Sequence, residues 1–264
     1  MTKLFKLKDY GKIANSYDLA KAIALIFMII AHLGGYFFPE NLWPRVTGRI
    51  AFPCFAFLIG YSQNYKFNKF LFIGACLTLL STALLKLPIF PLNILWSVLI
   101  WRAIMQKLVP TRVFQRELPM IWVMCMVFCM PFYIVTDYST LGIMFMTMGY
   151  LTREGMPLKN AKYYWISLLL FWIATQSIVF KFSLLMNMVF IAETLLLFWW
   201  LSRFKVASLP RLPFNMFTLI CARNSLIIYV LHIIAFQCIM TQIWPERQAD
   251  HIILWRINET STFP

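Results

Sequence analysis

The chain reads as an all-α integral membrane protein, a polytopic helical bundle of about nine transmembrane helices, and three observations predict this. Hydrophobic residues make up 61% of the 264 positions and charged residues 13%, whereas a soluble domain carries about 25% charged residues to wet its surface. Apolar runs near the length that crosses a hydrocarbon core, about 17 to 20 residues, follow one another along almost the whole chain. The basic residues fall unevenly on alternate connections. With a mean hydropathy of +0.72, these features exclude a disordered chain and a secreted disulfide scaffold. A formal charge of +14 and a pI near 9.7 would suggest nucleic acid in a soluble protein. Here the charge is the inner-loop excess of a membrane protein, and no nucleic-acid partner is expected.

In order, the apolar segments lie at 19–38, 48–62, 70–86, 92–108, 119–136, 141–152, 163–180, 182–202 and 216–241. Eight and ten crossings are the alternatives to nine, and two segments cause the ambiguity. The second is short and contains Pro53, which frees a carbonyl that must find another partner. The sixth is short and flanked by Gly142 and Gly149, the pattern of a half-helix. Three parts follow: a basic amphipathic segment over 1–17, a single transmembrane domain over 18–241, and a short tail over 242–264. If the N-terminus is cytoplasmic, the inner stretches 1–21, 63–69, 102–116, 153–162 and 203–223 hold 18 of the 24 Lys and Arg residues. The positive-inside rule expects that split, which puts the N-terminus in and the tail out. The first apolar run is too long for a signal peptide and lacks a small-residue cleavage site. The Lys, Leu, Phe and Ile residues of 1–17 suit the anionic inner surface of the lipid bilayer.

Motif chemistry is sparse. There is no GxGxxG, GxxxxGK[ST], CxxC or HExxH, and three His give a metal site little support. All six Cys fall within apolar spans, where free Cys acts as a small hydrophobe.

Ionisable groups at membrane depth are expensive, so each is a functional candidate. The first helix carries Asp18, Lys21 and His32. Lys21 and His32 are eleven residues apart, about three turns, so they share a face, with Lys21 at the cytoplasmic edge and His32 about 16 Å deeper. Arg45 and Arg49 open the second segment, and an Arg cannot neutralise itself. The last segment carries Arg223, Asn224, Tyr229 and His232. Tyr229 and His232 share a face, and His232 lies near the depth of His32. Arg223 and His232, nine apart, fall on opposite sides. Glu193 stands alone in an apolar helix, and Asp137 reads as an inexpensive loop residue.

A deep imidazole suits proton transfer, and a basic inner edge suits phosphate. Together they fit an acyl donor such as acetyl-CoA, with its anionic head at the inner edge and its thioester at depth. His32 would act as base or carry the acyl group, and Arg49 or His232 would stabilise the oxyanion. Lys21, Arg45 and Arg223 are the donor-binding candidates, with Asp18, Tyr229, Asn224 and Glu193 in support. A proton-coupled small-solute transporter would use similar residues.

Two stretches resemble the TraX family of F-pilin acetylases. They are Asp18-Leu-Ala-Lys21-Ala-Ile-Ala-Leu-Ile-Phe-Met-Ile-Ile-Ala-His32 and Gly48-Arg49-Ile-Ala-Phe-Pro53-Cys-Phe-Ala-Phe-Leu-Ile-Gly60. Fainter echoes follow at 93–95, 137–142 and 229–232. Lys21 and His32, with ten residues between them, are also similar to a signature of the wider membrane acyltransferase-3 group, in which this His is regarded as catalytic and an Arg pair lies nearby. Arg45 and Arg49 resemble that pair, spaced four apart where the group's pattern has three. The resemblance implies acetylation of the N-terminal amine of a conjugative pilin subunit by acetyl-CoA, without metal, in the bacterial inner membrane. One position departs from it: the family tends to have Asp directly before the His, where this chain has Ala31. Any catalytic share of that carboxylate would fall to Asp18 or Glu193. Other readings are O-acetylation of a surface glycan or lipid, the transporter, and a non-catalytic pilus-assembly scaffold.

Overall fold

The computed structural model describes residues 13–109, 114–155, 161–210 and 214–243. Most of the expected amphipathic segment and of the expected outer tail lies outside the described residues, as do Arg112, Lys159 and Arg211. The described residues form α1 (Ser16–Phe37), α2 (Trp43–Gly48), α3 (Ala51–Ser62), α4 (Lys69–Leu84), α5 (Ile94–Leu108) and α6 (Phe114–Phe132). They continue with α7 (Leu141–Glu154), α8 (Ala161–Phe180), α9 (Leu184–Ser202), α10 (Asn215–Arg223) and α11 (Ser225–Ile243). Every apolar segment read from the sequence contains a helix. Four of them, α1, α8, α9 and α11, are long and apolar enough to cross a membrane.

Two segments differ from their expected form, each for a local reason. Segment 48–62 breaks at Arg49 and Ile50 instead of running on from Gly48. A helix through this point would set the Pro53 ring against the Arg49 carbonyl and lose that bond. With the break, Pro53 becomes the third residue of α3, where an amide N–H has no helical partner in any case. Segment 216–241 splits into α10 and α11 at Asn224, whose side-chain amide donates to the Ile220 carbonyl at 3.0 Å, a bond that competes with regular helix.

Lateral surfaces are apolar: Leu80, Val127, Leu170 and Leu196 are each more than half exposed. Arg45, Arg49 and Gln176 are buried. Apolar outside with polar groups inside is the arrangement of a protein solvated by lipid. The core forms where α3 crosses α7. A Cβ on Gly60 would lie 1.9 Å from the Met146 carbonyl oxygen and one on Gly149 2.0 Å from that of Phe57, so glycine lets the two backbones touch. Phe57, Phe145, Trp172 and Phe190 fill the adjoining space, all fully buried. With 14 residues, α7 is about 21 Å long, short of the ~30 Å hydrocarbon core. It is buried along nearly its whole length.

A second close contact sets the position of α2. A Cβ at Gly34 would meet Pro44 at 2.5 Å, and one at Gly48 would meet the Ala31 methyl at 2.2 Å. The short α2 therefore lies directly on the His32 end of α1 and brings Arg45 and Arg49 there.

Candidate functional site

The site begins with two imidazoles on different helices. His32 Nδ1 of α1 lies 2.8 Å from His232 Nε2 of α11, and His232 Nδ1 lies 2.8 Å from the Ile228 carbonyl oxygen. A carbonyl only accepts, so His232 Nδ1 carries the hydrogen and, in the neutral ring, Nε2 holds a lone pair. That lone pair accepts from His32 Nδ1–H. His32 Nε2 is left unprotonated, its lone pair free. The rings stack with centroids 5.1 Å apart. Tyr229 meets both edge-on, at 5.9 Å from His32 and 5.5 Å from His232. Phe236 closes the far side of His232 at 5.4 Å. These contacts hold both rings in one orientation.

The arginines are held as firmly. Arg49 Nε donates to the Arg45 carbonyl at 3.3 Å, and its Nη1 donates to the Tyr138 hydroxyl at 3.2 Å and to Gln176 Oε1 at 3.4 Å. The guanidinium also lies over the Phe180 ring, 4.1 Å from its centroid, a cation–π contact that favours the charge at depth. Both Arg45 and Arg49 are near enough for their charges to be felt at His32.

His32, Tyr229, Arg45 and Arg49 face a cavity of about 580 Å³, within the range of small-molecule sites; His232 stands behind His32 and does not line it. At one end stand Tyr17, Lys21, Ser62, Asn64 and Arg102. At the other stand Tyr36, Arg45, Arg49, Asp137 and Tyr138, with His32 between the two ends. Lys21 and Tyr36 are fifteen residues apart on α1, so the cavity spans about 22 Å along that helix.

The turn at the far end is tightly built. Tyr138 and Ser139 both have left-handed backbones, with φ of 59° and 48°, which is uncommon for residues with side chains. Leu92 clamps the turn, donating to the Val135 carbonyl at 2.9 Å and accepting from Asp137 N–H at 3.2 Å. Trp101 Nε1 donates to the Ser139 carbonyl at 2.7 Å, and Tyr138 stacks on Phe52 at 3.8 Å. Asp137 lies in this connection between α6 and α7. Burial pushes its carboxyl up to about 7, and the nearby Arg49 charge pulls it part of the way back.

The structure brings together His32, His232, Tyr229, Arg45, Arg49 and, at the opposite end of the cavity, Lys21. Five sequence candidates do not line the cavity: His232, which reaches it only through its bond to His32, and four others. Asp18 completes the capping box of α1, exchanging bonds with Asn15, though its charge is felt at Lys21. Asn224 marks the helix break. Arg223 is exposed, and the break at Asn224 puts it on a different helix from His232, so their spacing does not relate them. Glu193 lies on α9, away from the cavity, with Oε2 buried and unpartnered. Of the two acids expected to replace the one missing at position 31, neither is at the cavity. Asp137, read as a loop residue, is.

Arg102 was also missed. It sits inside an apolar helix and donates through Nη2 to the Lys66 carbonyl at 2.6 Å, while its buried Nε has no partner. Its position within the segment 92–108 was the signal, masked by reading it as an inner-loop charge.

A family model described as TraX protein matches residues 16–240. Uncharacterized protein RP591 of Rickettsia prowazekii (strain Madrid E) is 31% identical over 143 residues, 53% of this chain and 57% of that relative. The chain thus spans just over half the length of this relative. No solved structure matches.

Proposed function

The chain belongs to the TraX family, and on that premise we propose that it is a membrane acetyltransferase carrying acetyl from acetyl-CoA to the N-terminal amine of a pilin subunit. The observation that carries the reading is the bonding order Ile228 carbonyl, His232, His32, which presents a neutral imidazole nitrogen to a cavity lined with arginines. An imidazole nitrogen with a free lone pair is suited to take the proton of an attacking amine.

In this reading the donor enters at the Lys21 end. Its phosphates meet Lys21 and Arg102, whose unpartnered Nε has a hydrogen to give. As the amine nitrogen bonds to the thioester carbon, His32 Nε2 takes a proton from it. His232 steadies the resulting imidazolium through the Nδ1–H bond. Arg45 and Arg49 stabilise the charge on the carbonyl oxygen. The C–S bond then breaks, and His32 returns the proton to the departing thiolate. An acyl-His32 intermediate would use the same nitrogen as nucleophile. Arg223, though exposed, keeps a part in this scheme as an inner-surface contact for the donor head.

The same reading has about nine helical segments crossing a bacterial inner membrane, with the N-terminus and the Lys21 end cytoplasmic and the Asp137 end periplasmic. It also includes kinship with the acyltransferase-3 group. The test is mass spectrometry of pilin co-expressed with the wild-type protein or with His32→Ala. One acetyl group on the N-terminus is expected with wild type and none with the variant. Acetylated pilin from His32→Ala would overturn the role of His32, and unmodified pilin with wild type would overturn the function.

A further inference from the structure

We infer that Asp137, framed by Tyr36, Tyr133, Tyr138 and Tyr229, is the docking site for the acceptor's amine in its protonated form. The inference rests on the acetyl-transfer reading for what happens after docking, but the site is argued from its own geometry.

Among the described residues lining the cavity, Asp137 is the only carboxylate, against the cations Lys21, Arg45, Arg49 and Arg102. A cavity so charged attracts anions at every point except this one. Arg49 does not neutralise the carboxylate by a direct ion pair. Its bonds go to the Arg45 carbonyl, Tyr138 and Gln176, and its face lies on Phe180. No hydrogen bond among the described residues ends on the Asp137 side chain. The four tyrosines all line the same cavity. Tyr138 is already stacked on Phe52 and near Arg49, but a carboxylate beside tyrosine rings suits an ammonium, which can gain both the ion pair and cation–π attraction. A neutral hydroxyl acceptor gains neither.

Position is the second support. The turn carrying Asp137 holds two consecutive left-handed residues and is clamped by Leu92, Trp101 and Phe52. Such backbone strain persists only where the surroundings enforce it, so the carboxylate is fixed in place. Tyr229 borders both this cage and the His32 ring, which joins the docking point to the reacting nitrogen. An α-amine titrates near pH 8. The docked ammonium gives one proton to the Asp137 carboxylate, the neutral amine attacks beside His32, and Asp137 returns its proton to water after product release.

The test uses full-length protein in lipid nanodiscs and two short alanyl peptides, one with a free N-terminal amine and one with a hydroxyl in its place. Binding is measured by equilibrium dialysis of the radiolabelled peptides, and acetyl transfer from acetyl-CoA is measured separately. Asp137→Asn is expected to weaken binding of the amine peptide about 10- to 100-fold, the loss typical of a charge-assisted hydrogen bond, and to leave the hydroxyl peptide unchanged. Asp137→Glu is expected to restore part of the difference. Equal binding of the two peptides by wild type, or equal loss of both by a monodisperse Asp137→Asn protein, overturns the inference. If Asp137→Asn does not fold, Tyr133→Leu serves instead, with a selective loss for the amine peptide expected and no selectivity overturning the proposal. Selective amine binding without acetyl transfer leaves docking standing and sinks the acetyltransferase reading. Undiminished transfer to the amine by Asp137→Asn does the reverse.

Discussion

Where α3 crosses α7 the backbones touch and aromatic rings fill every gap, while along α1 and α11 the helices meet through a hydrogen-bonded imidazole pair beside an open cavity. Both regions use α3. Phe57 and Gly60 turn toward α7, and Phe52, Phe55 and Ile59 border the cavity. In lipid the hydrophobic effect does not drive helices together, so close packing must hold them. The rigid α3–α7 crossing therefore allows the neighbouring seam to stay open and to keep charged groups at depth. Close packing and buried polar groups are concentrated in different places, and substitutions should separate their effects.

The largest effect is expected from Trp172→Ala, which leaves a cavity in the aromatic cluster. A loss of about 3–5 kcal/mol is the usual range for such a change, read by thermal unfolding in detergent. Retention of wild-type stability would break the contrast between the regions. His232→Ala should do the opposite, slowing acetyl transfer about 100-fold while shifting the unfolding midpoint by only a few degrees, because it frees His32 to adopt the wrong tautomer. Gly149→Ala comes next. Its methyl would strike the Phe57 carbonyl, and overpacking of this kind costs about 1–3 kcal/mol.

A smaller effect is expected from pH. Asp137, pushed up to about 7 by burial, is ionised above that value and neutral below it. Arg49, Tyr36, Tyr133, Tyr138 and Tyr229 are the groups that surround it from the packed elements. The KM for an amine acceptor should therefore rise roughly 5-fold as pH falls from 8 to 6, a ~10-fold loss of carboxylate set against a ~2-fold gain of ammonium. Protonation of the amine pushes in the other direction, so the sign identifies Asp137. Asp137→Asn should flatten the profile. Glu193→Gln, remote from the cavity, should change transfer by less than twofold and stability by about 0.5 kcal/mol or less.

Much of this architecture is legible in the sequence. His32 and Lys21 share a face because eleven residues make three turns, and both line the cavity. His232 was found by depth alone. Asp137 was not legible, because a loop residue is inexpensive in general and nothing in Thr136-Asp137-Tyr138 announces that the loop folds inward against Leu92 and Trp101. Asn224 and Asp18 lie off the cavity for the converse reason. Asn224 sits within an apolar run and Asp18 at the edge of one, and each is used by its own helix, one to break it and one to cap it.

The sequence by itself determined the helical class, the membrane setting and the spacing of polar groups along each helix, since these follow from local hydropathy and the 3.6-residue period. Only the tertiary structure decided which polar groups meet. The His32–His232 bond joins residues 200 positions apart, and the Arg49–Gln176 bond joins residues 127 apart. Pairings at that distance depend on which helix faces pack, and here glycines at 48, 60 and 149 set that packing through contacts no single helix contains.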